Sequence, residues 1–186
     1  MTLKSFQNVG SDLFLAGLNN SNSGNLSVRK NEKMVISKTG SMLHRLSEDD
    51  LIETSIAAED ENTSKASREY PVHKAIYAAT DANAVVHAHC PNLIALSFYS
   101  DAFKPIDAEG CYYFPDGAPV IVAKNAIASE EVGEKAAAVI GKYGAVVVRG
   151  HGVFAVGADL CEAYKRVSSL EHSAKIYNIY CNLKSS

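Results

Sequence analysis

Apolar residues recur at helical intervals in SFQNVGSDLFLAGL, where Phe6, Val9, Leu13 and Leu18 predict a helix from about Leu3 to Gly17. The polar, Gly-containing run NNSNSG ends it and reads as a loop. LSVRK and MVISK flank the short charged turn NEK and read as the two strands of a hairpin. Thr39 and Gly40 turn the chain, and in LSEDDLIETS Ser47 reads as the N-cap of a short helix with acids in its first turn. Residues 59–66, EDENTSKA, read as a surface loop. A helix then runs from Ser67 through HKAIYAAT, with Glu69 near its start and Pro71 in its first turn, where the missing N–H costs little. The β-branched run AVVHAH followed by PNLIALSFY predicts a buried strand leading into a helix. The stretch from Asp101 to Gly117 has no clear period, and PVIVA after it is strand-like. Ser129 caps a helix that Gly144 ends. AVVVRGHGVFAVG reads as two strands around a Gly-His-Gly turn. A capping box from Asp159 to Glu162 opens a last helix that reaches almost to the carboxyl terminus. Interleaved strands and helices predict an α/β fold with helices on both faces of a sheet.

Composition narrows the function classes. With 186 residues and 47% hydrophobic side chains, the chain can bury a sizeable core and is read as one domain, 1–186. Eighteen basic against 21 acidic side chains give a formal net charge of -3, so no global field favours nucleic acid or an anionic membrane. Any anionic ligand must be held by a local site. Cys90, Cys111, Cys161 and Cys181 are widely spaced with no CxxC pair, and the amino terminus lacks a signal-like run. These features predict free thiols in the cytoplasm. No apolar segment approaches the ~20 residues that span a bilayer.

The histidines carry the chemistry. His87 and His89 in VVHAH alternate with Ala88, so a strand projects both to the same side. That spacing can present two imidazoles to one ion, although a packed core pair or a surface pair would look the same. His151, flanked by glycines in RGHGV, is the third candidate, since its neighbours leave room for an ion and a substrate. Three imidazoles with a fourth position open is the pattern of catalytic rather than structural zinc sites, and it also binds other divalent ions. His44 and His172 read as surface residues. His73, four residues after Glu69, reads as a partner that orients or packs beside that glutamate.

SGNLSVR, ISKTG, SREYPVH, AVVHAHCPNLIALS and VVVRGHGVFAVG, in that order and across nearly the whole chain, resemble the class II aldolase and adducin family. Motif order and spacing are closest to the branch acting on L-fuculose 1-phosphate. The resemblance implies a three-layer αβα fold with a mixed, largely antiparallel sheet, a homotetramer, and cleavage of a ketose 1-phosphate to dihydroxyacetone phosphate and an aldehyde. It puts Zn2+ on His87, His89 and His151, the catalytic base on Glu69, and the substrate phosphate on Gly24, Asn25, Thr39, Gly40 and Ser67. Independently of the family, a phosphate in a protein without excess positive charge needs several such backbone, amide and hydroxyl donors.

The chain departs from the family pattern at two places. Arg68 stands where a second pocket serine is expected, and it either pairs with the phosphate or points to solvent. The family's tyrosine acids have no clean counterpart in KPIDAEGCYYFPDG or before Ser186, which leaves Glu109, Tyr112 and Tyr113 as candidates. Dehydration of a methylthio-pentulose phosphate would use the same metal and glutamate. A ribulose-phosphate 4-epimerase should carry aspartate in place of Glu69, a non-enzymatic adducin-like scaffold should lack the histidines, and a structural zinc would need a fourth tight ligand.

Overall fold

The computed structural model describes residues 3–185. Its strands are β1 (Asn25–Lys30), β2 (Lys33–Ser37), β3 (Leu51–Ser55), β4 (Ala84–Ala88), β5 (Ala102–Phe103), β6 (Ala118–Ile121), β7 (Ala145–Val148) and β8 (Gly152–Gly157). They form one sheet in the order β3-β2-β1-β4-β8-β7-β6-β5. The β6–β7 pair is parallel and the other pairs are antiparallel. The sheet is therefore mixed and largely antiparallel, as expected.

Side-chain alternation in the central strands builds the layers. Val85 of β4, Val146 and Val148 of β7, and Phe154 of β8 pack with Val72 and Ile76 of α2 (Tyr70–Ala79) and Val132, Ala136 and Ile140 of α5 (Glu130–Tyr143). Ala84, Val86 and Ala88 turn to the other face, against α1 (Leu3–Leu15), α3 (Pro91–Ser97) and α6 (Leu160–Ser185), with α4 (Ala108–Tyr113) packed on α6. β4 is buried on both faces, which explains its continuous apolar run.

The helix ends follow their capping chemistry. Ser129 Oγ accepts the Val132 N–H at 3.2 Å to open α5, and Gly144, at φ 73°, closes it. Asp159 Oδ1 accepts the Glu162 N–H at 2.8 Å, while the Glu162 carboxylate bonds the N–H of Ala158, one residue outside a standard capping box.

Two local readings need correction. In LSEDDLIETS Ser47 does stand at the N-cap of a helical turn with acids in it, but that turn is a single 3-10 one, Glu48–Asp50, in which Asp50 accepts the Ser47 N–H at 2.9 Å and its hydroxyl at 2.7 Å. Leu51–Ser55 is an edge strand instead, because Ile52 and Thr54 pair with Ile36 and Met34 of β2 and a β-branched edge strand suits that surface. The stretch from Asp101 to Gly117 contains β5 and α4, elements too short to leave a period.

A carboxylate ties α6 to the start of α3. Glu171, buried in α6, accepts the Asn92 N–H at 2.9 Å, the Asn92 side-chain amide at 2.8 Å and the Leu93 N–H at 3.0 Å. It thus serves the free donors of a helix start and lies in the favourable field there. Glu171→Ala is expected to lower the unfolding free energy by about 2–4 kcal/mol, measured by urea denaturation. A change under about 0.5 kcal/mol would show that solvent replaces the cap.

Candidate active site

Strand register brings the chemistry together. Asn25 of β1 pairs with His87 of β4, and Phe154 of β8 pairs with it from the other side. The His87 ring stacks on Phe154 with centroids 4.1 Å apart and planes at 13°. His87 Nδ1 donates to the Val153 carbonyl at 3.0 Å, which leaves Nε2 as the free ligand atom. His89, one residue past the end of β4, places its Nε2 3.1 Å from that of His87. His151 comes from the β7–β8 turn, preceded by Gly150 at φ 71°. The centroids of the three rings form a near-equilateral triangle with sides of 4.7–4.9 Å, and one ligand atom from each lies within 4.8 Å of the others. Two nitrogens about 2.0–2.1 Å from one tetrahedral ion would stand roughly 3.3 Å apart, so the His87–His89 pair fits a shared metal.

Burial keeps these imidazoles neutral. It pulls His87 well below its ordinary value, helped by His151 and His89, holds His89 at about 4 and lowers His151. Neutral imidazoles are the form that binds a cation.

Glu69 occupies the N-cap position of α2 beside this triad, its Oε1 3.7 Å from His151 Nε2. With His151 neutral, that contact is not an ion pair. Oε1 accepts the Ala128 N–H at 2.9 Å, whereas Oε2 is buried and makes no hydrogen bond. Burial pushes the carboxyl up to about 7, against the lowering effects of that N–H and the Arg68 guanidinium. The acid and its anion are then both accessible near neutrality. Ala128 aims its N–H from the left-handed region, φ 53°, which is strained for a residue with a Cβ.

One pocket joins this centre to the turns that sequence spacing marked. Gly24, Asn25, Thr39, Gly40, Ser67 and Arg68 line it with Glu69, His87, His89 and His151. Backbone bonds from Ser67 N to the Ser37 carbonyl and from Thr39 N to the Lys65 carbonyl hold two of the turns together. Gly24 has φ 78°, and a Cβ there would meet Asn19 Nδ2 at 2.2 Å and the His87 carbonyl at 2.7 Å, so the loop can reach the histidine strand only as glycine.

Sequence reasoning missed Asn19, Lys38 and Ala128. Asn19 Oδ1 accepts the His89 N–H at 2.9 Å and thereby ties the loop before β1 to a metal-ligand candidate. The polar run NNSNSG was its only signal. Lys38 lines the pocket from a turn read only for its Thr-Gly pair, and nothing in an alanine marks a strained backbone.

Other candidates stand apart. Glu109, Tyr112 and Tyr113 do not line the pocket; both tyrosines are exposed and the Glu109 carboxylate faces Ser169. His44 is half-buried and stacks on Phe14, while His172 is exposed. His73 does not turn its ring to Glu69 but hydrogen-bonds Ser27 and Asn25 of β1, because its face of α2 packs on the sheet.

Complete burial pulls His73 from 6.5 to about 3. The unfolded chain takes up this proton below about pH 6.5 and the folded chain does not, so stability is full above that value and falls as pH drops toward 3. The expected slope from this group is at most about 1.4 kcal/mol per pH unit. Urea unfolding of metal-free protein between pH 7 and 4 should show it, with a shallower slope in His73→Gln; equal slopes would remove His73 as the cause.

The profile of the Class II Aldolase and Adducin N-terminal domain matches residues 4–178. The chain is 30% identical over 168 residues to an L-fuculose phosphate aldolase of Methanococcus maripaludis, covering 87% of each. It is also 30% identical over 185 residues to a 3-oxo-tetronate 4-phosphate decarboxylase of Haemophilus influenzae, covering 91% of this chain and 83% of that one. The crystal structure of L-fuculose-1-phosphate aldolase from Thermus thermophilus superposes with a TM-score of 0.93 at 36% identity, covering 98% and 95% of the two chains. A three-layer fold that carries three convergent histidines, together with a profile match over almost its whole length, means that the chain belongs to the class II aldolase and adducin family.

Proposed function

We propose that this protein is a zinc-dependent aldolase that cleaves a ketose 1-phosphate, such as L-fuculose 1-phosphate, to dihydroxyacetone phosphate and an aldehyde. The observation that carries the proposal is the position of Glu69. It lines one pocket with the three imidazoles and with donors suited to a phosphate, its Oε1 3.7 Å from His151 Nε2 and its Oε2 buried without a hydrogen bond.

His87, His89 and His151 would hold the ion, which when bound supplies Lewis-acid stabilisation of the negative charge that develops as the carbon–carbon bond breaks. Gly24, Asn25, Thr39, Gly40, Ser67 and Arg68 bind the phosphate through backbone, amide, hydroxyl and guanidinium donors. In cleavage the C3–C4 bond breaks, its electron pair passes to C3, and Glu69 delivers a proton to C3 from Oε2. In the aldol direction the same oxygen takes that proton back. The Ala128 N–H holds Oε1 throughout, so the proton-carrying oxygen is the unpartnered one. The proton of the C4 hydroxyl belongs to a further acid–base group. In the homotetramer that forms part of this proposal, a neighbouring subunit is its source.

A cytoplasmic setting completes the reading, supported by four cysteines that form no disulfide. No helix among the described residues is long and apolar enough to cross a membrane. A second reading, decarboxylation of a 3-oxo acid 4-phosphate, is favoured by the Haemophilus relative and would use the same charge stabilisation. Purified protein offered a panel of ketose 1-phosphates should release dihydroxyacetone phosphate. Release of water without carbon-bond cleavage would make it a dehydratase. Carbon dioxide from a 3-oxo acid 4-phosphate, with no cleavage of any ketose 1-phosphate, would establish the second reading.

A further inference from the structure

His73 is wholly buried in α2, touches neither the Glu69 carboxylate nor the other three imidazoles through a hydrogen bond, and has no part in the chemistry described above. Its two ring nitrogens are nevertheless both engaged. Nδ1 lies 2.6 Å from Ser27 Oγ, which lies 2.8 Å from the Tyr77 hydroxyl, and Nε2 lies 2.5 Å from Asn25 Oδ1. Asn25 and Ser27 are two apart on β1 and share a face, so one imidazole spans both.

A neutral imidazole has one donor and one acceptor, and burial holds His73 neutral. The ring has two tautomers, and with Nδ1–H only one of the Ser27 and Tyr77 hydroxyl protons can find an acceptor along the chain. In one, Asn25 turns its NH2 toward His73, Nδ1–H donates to Ser27, and Ser27 donates to Tyr77. The phenol proton, buried, then has no acceptor, since Ser27 is the one side-chain hydrogen-bond partner of the Tyr77 hydroxyl among the described residues. In the other, Tyr77 donates to Ser27, Ser27 donates to Nδ1, and Nε2–H donates to Asn25 Oδ1. Every proton then has an acceptor, and a buried donor left unmade is the costlier outcome.

We infer that His73 is a positioning residue: the directed chain Tyr77–Ser27–His73–Asn25 locks the Asn25 amide with its carbonyl inward and its NH2 facing the pocket, and so sets affinity for the phosphate end of the substrate. The amide's orientation decides the sign of the contact. With NH2 outward Asn25 donates to an anion, and with the carbonyl outward it repels one. A side chain remote from the phosphate thus controls whether the pocket accepts it. This inference rests on the reading of Asn25 as a phosphate ligand.

The test uses purified, metal-loaded protein and inorganic phosphate as the probe, with affinity measured by calorimetry and metal content measured in parallel. Asn25→Ala should weaken phosphate binding about tenfold to hundredfold. His73→Leu, with wild-type metal content, should weaken it to a similar degree. The Asn25→Ala, His73→Leu pair should be no weaker than Asn25→Ala alone. His73→Gln, whose amide can donate to Asn25 and accept from Ser27, should stay within about threefold of wild type. Wild-type affinity in folded His73→Leu alongside weak binding in Asn25→Ala would overturn the inference while leaving the pocket reading intact. Wild-type affinity in Asn25→Ala would overturn the pocket reading, and this inference with it. Should His73→Leu fail to fold, nitrogen-15 NMR of the wild-type ring decides: protonation at Nε2 supports the lock, and protonation at Nδ1 defeats it.

Discussion

Glu69→Gln is expected to lower turnover by about two to four orders of magnitude without loss of bound metal. Glutamine keeps the size and the Oε1 acceptor that the Ala128 N–H holds, but it offers no oxygen that can take and return a proton. Oε2, buried and without a partner in the folded chain, is the atom whose chemistry disappears. Exchange of the C3 proton of dihydroxyacetone phosphate with deuterated water reads this step without any aldehyde, so it separates proton transfer from substrate specificity. Variant protein that retains its metal and exchanges at the wild-type rate would end the assignment of Glu69 as the proton carrier.

Adding Zn2+ to metal-free protein should raise its thermal midpoint strongly, and His151→Ala should abolish most of that shift. An ion that binds the folded state alone stabilises by about 4 kcal/mol when it is present at a thousand times its dissociation constant. For a chain of this size that corresponds to roughly 8–16 °C, at about 2–4 °C per kcal/mol. His151 enters from the β7–β8 turn, whereas His87 and His89 come from β4 and its end, so its removal leaves two candidate ligands and an open half-shell. Two adjacent imidazoles still bind a divalent ion, which predicts a weakened rather than absent response. Differential scanning calorimetry with zinc, cobalt and manganese would also rank the metals. An equal shift in wild type and His151→Ala would mean that the third imidazole does not share the ion.

How much of this was legible beforehand varies with the range of the interaction. The helices α5 and α6 were readable because Ser129, Gly144 and Asp159 act on backbone groups within four residues of themselves. β4 was readable because an unbroken apolar run needs cover on both faces. The acidic prefix of Leu51–Ser55 suits a helix start and does open one 3-10 turn, and only the register with β2 makes the segment itself a strand. The short elements between Asp101 and Gly117 depend on packing against α6 and β6, which no local period reports.

The order of motifs along the chain, from SGN through HAH to RGHG, marked by itself the family and the side chains proposed to hold a metal and a phosphate, because residue chemistry and short spacings are local properties. Tertiary structure alone decided that Asn25 stands beside His87, that the strained Ala128 N–H holds one oxygen of Glu69 and leaves the other free, and that His73 serves Asn25 rather than Glu69. Each of those depends on strand register or on contact between residues 48 or more positions apart, and the free energy that selects among such contacts comes from burial of the whole core rather than from any segment.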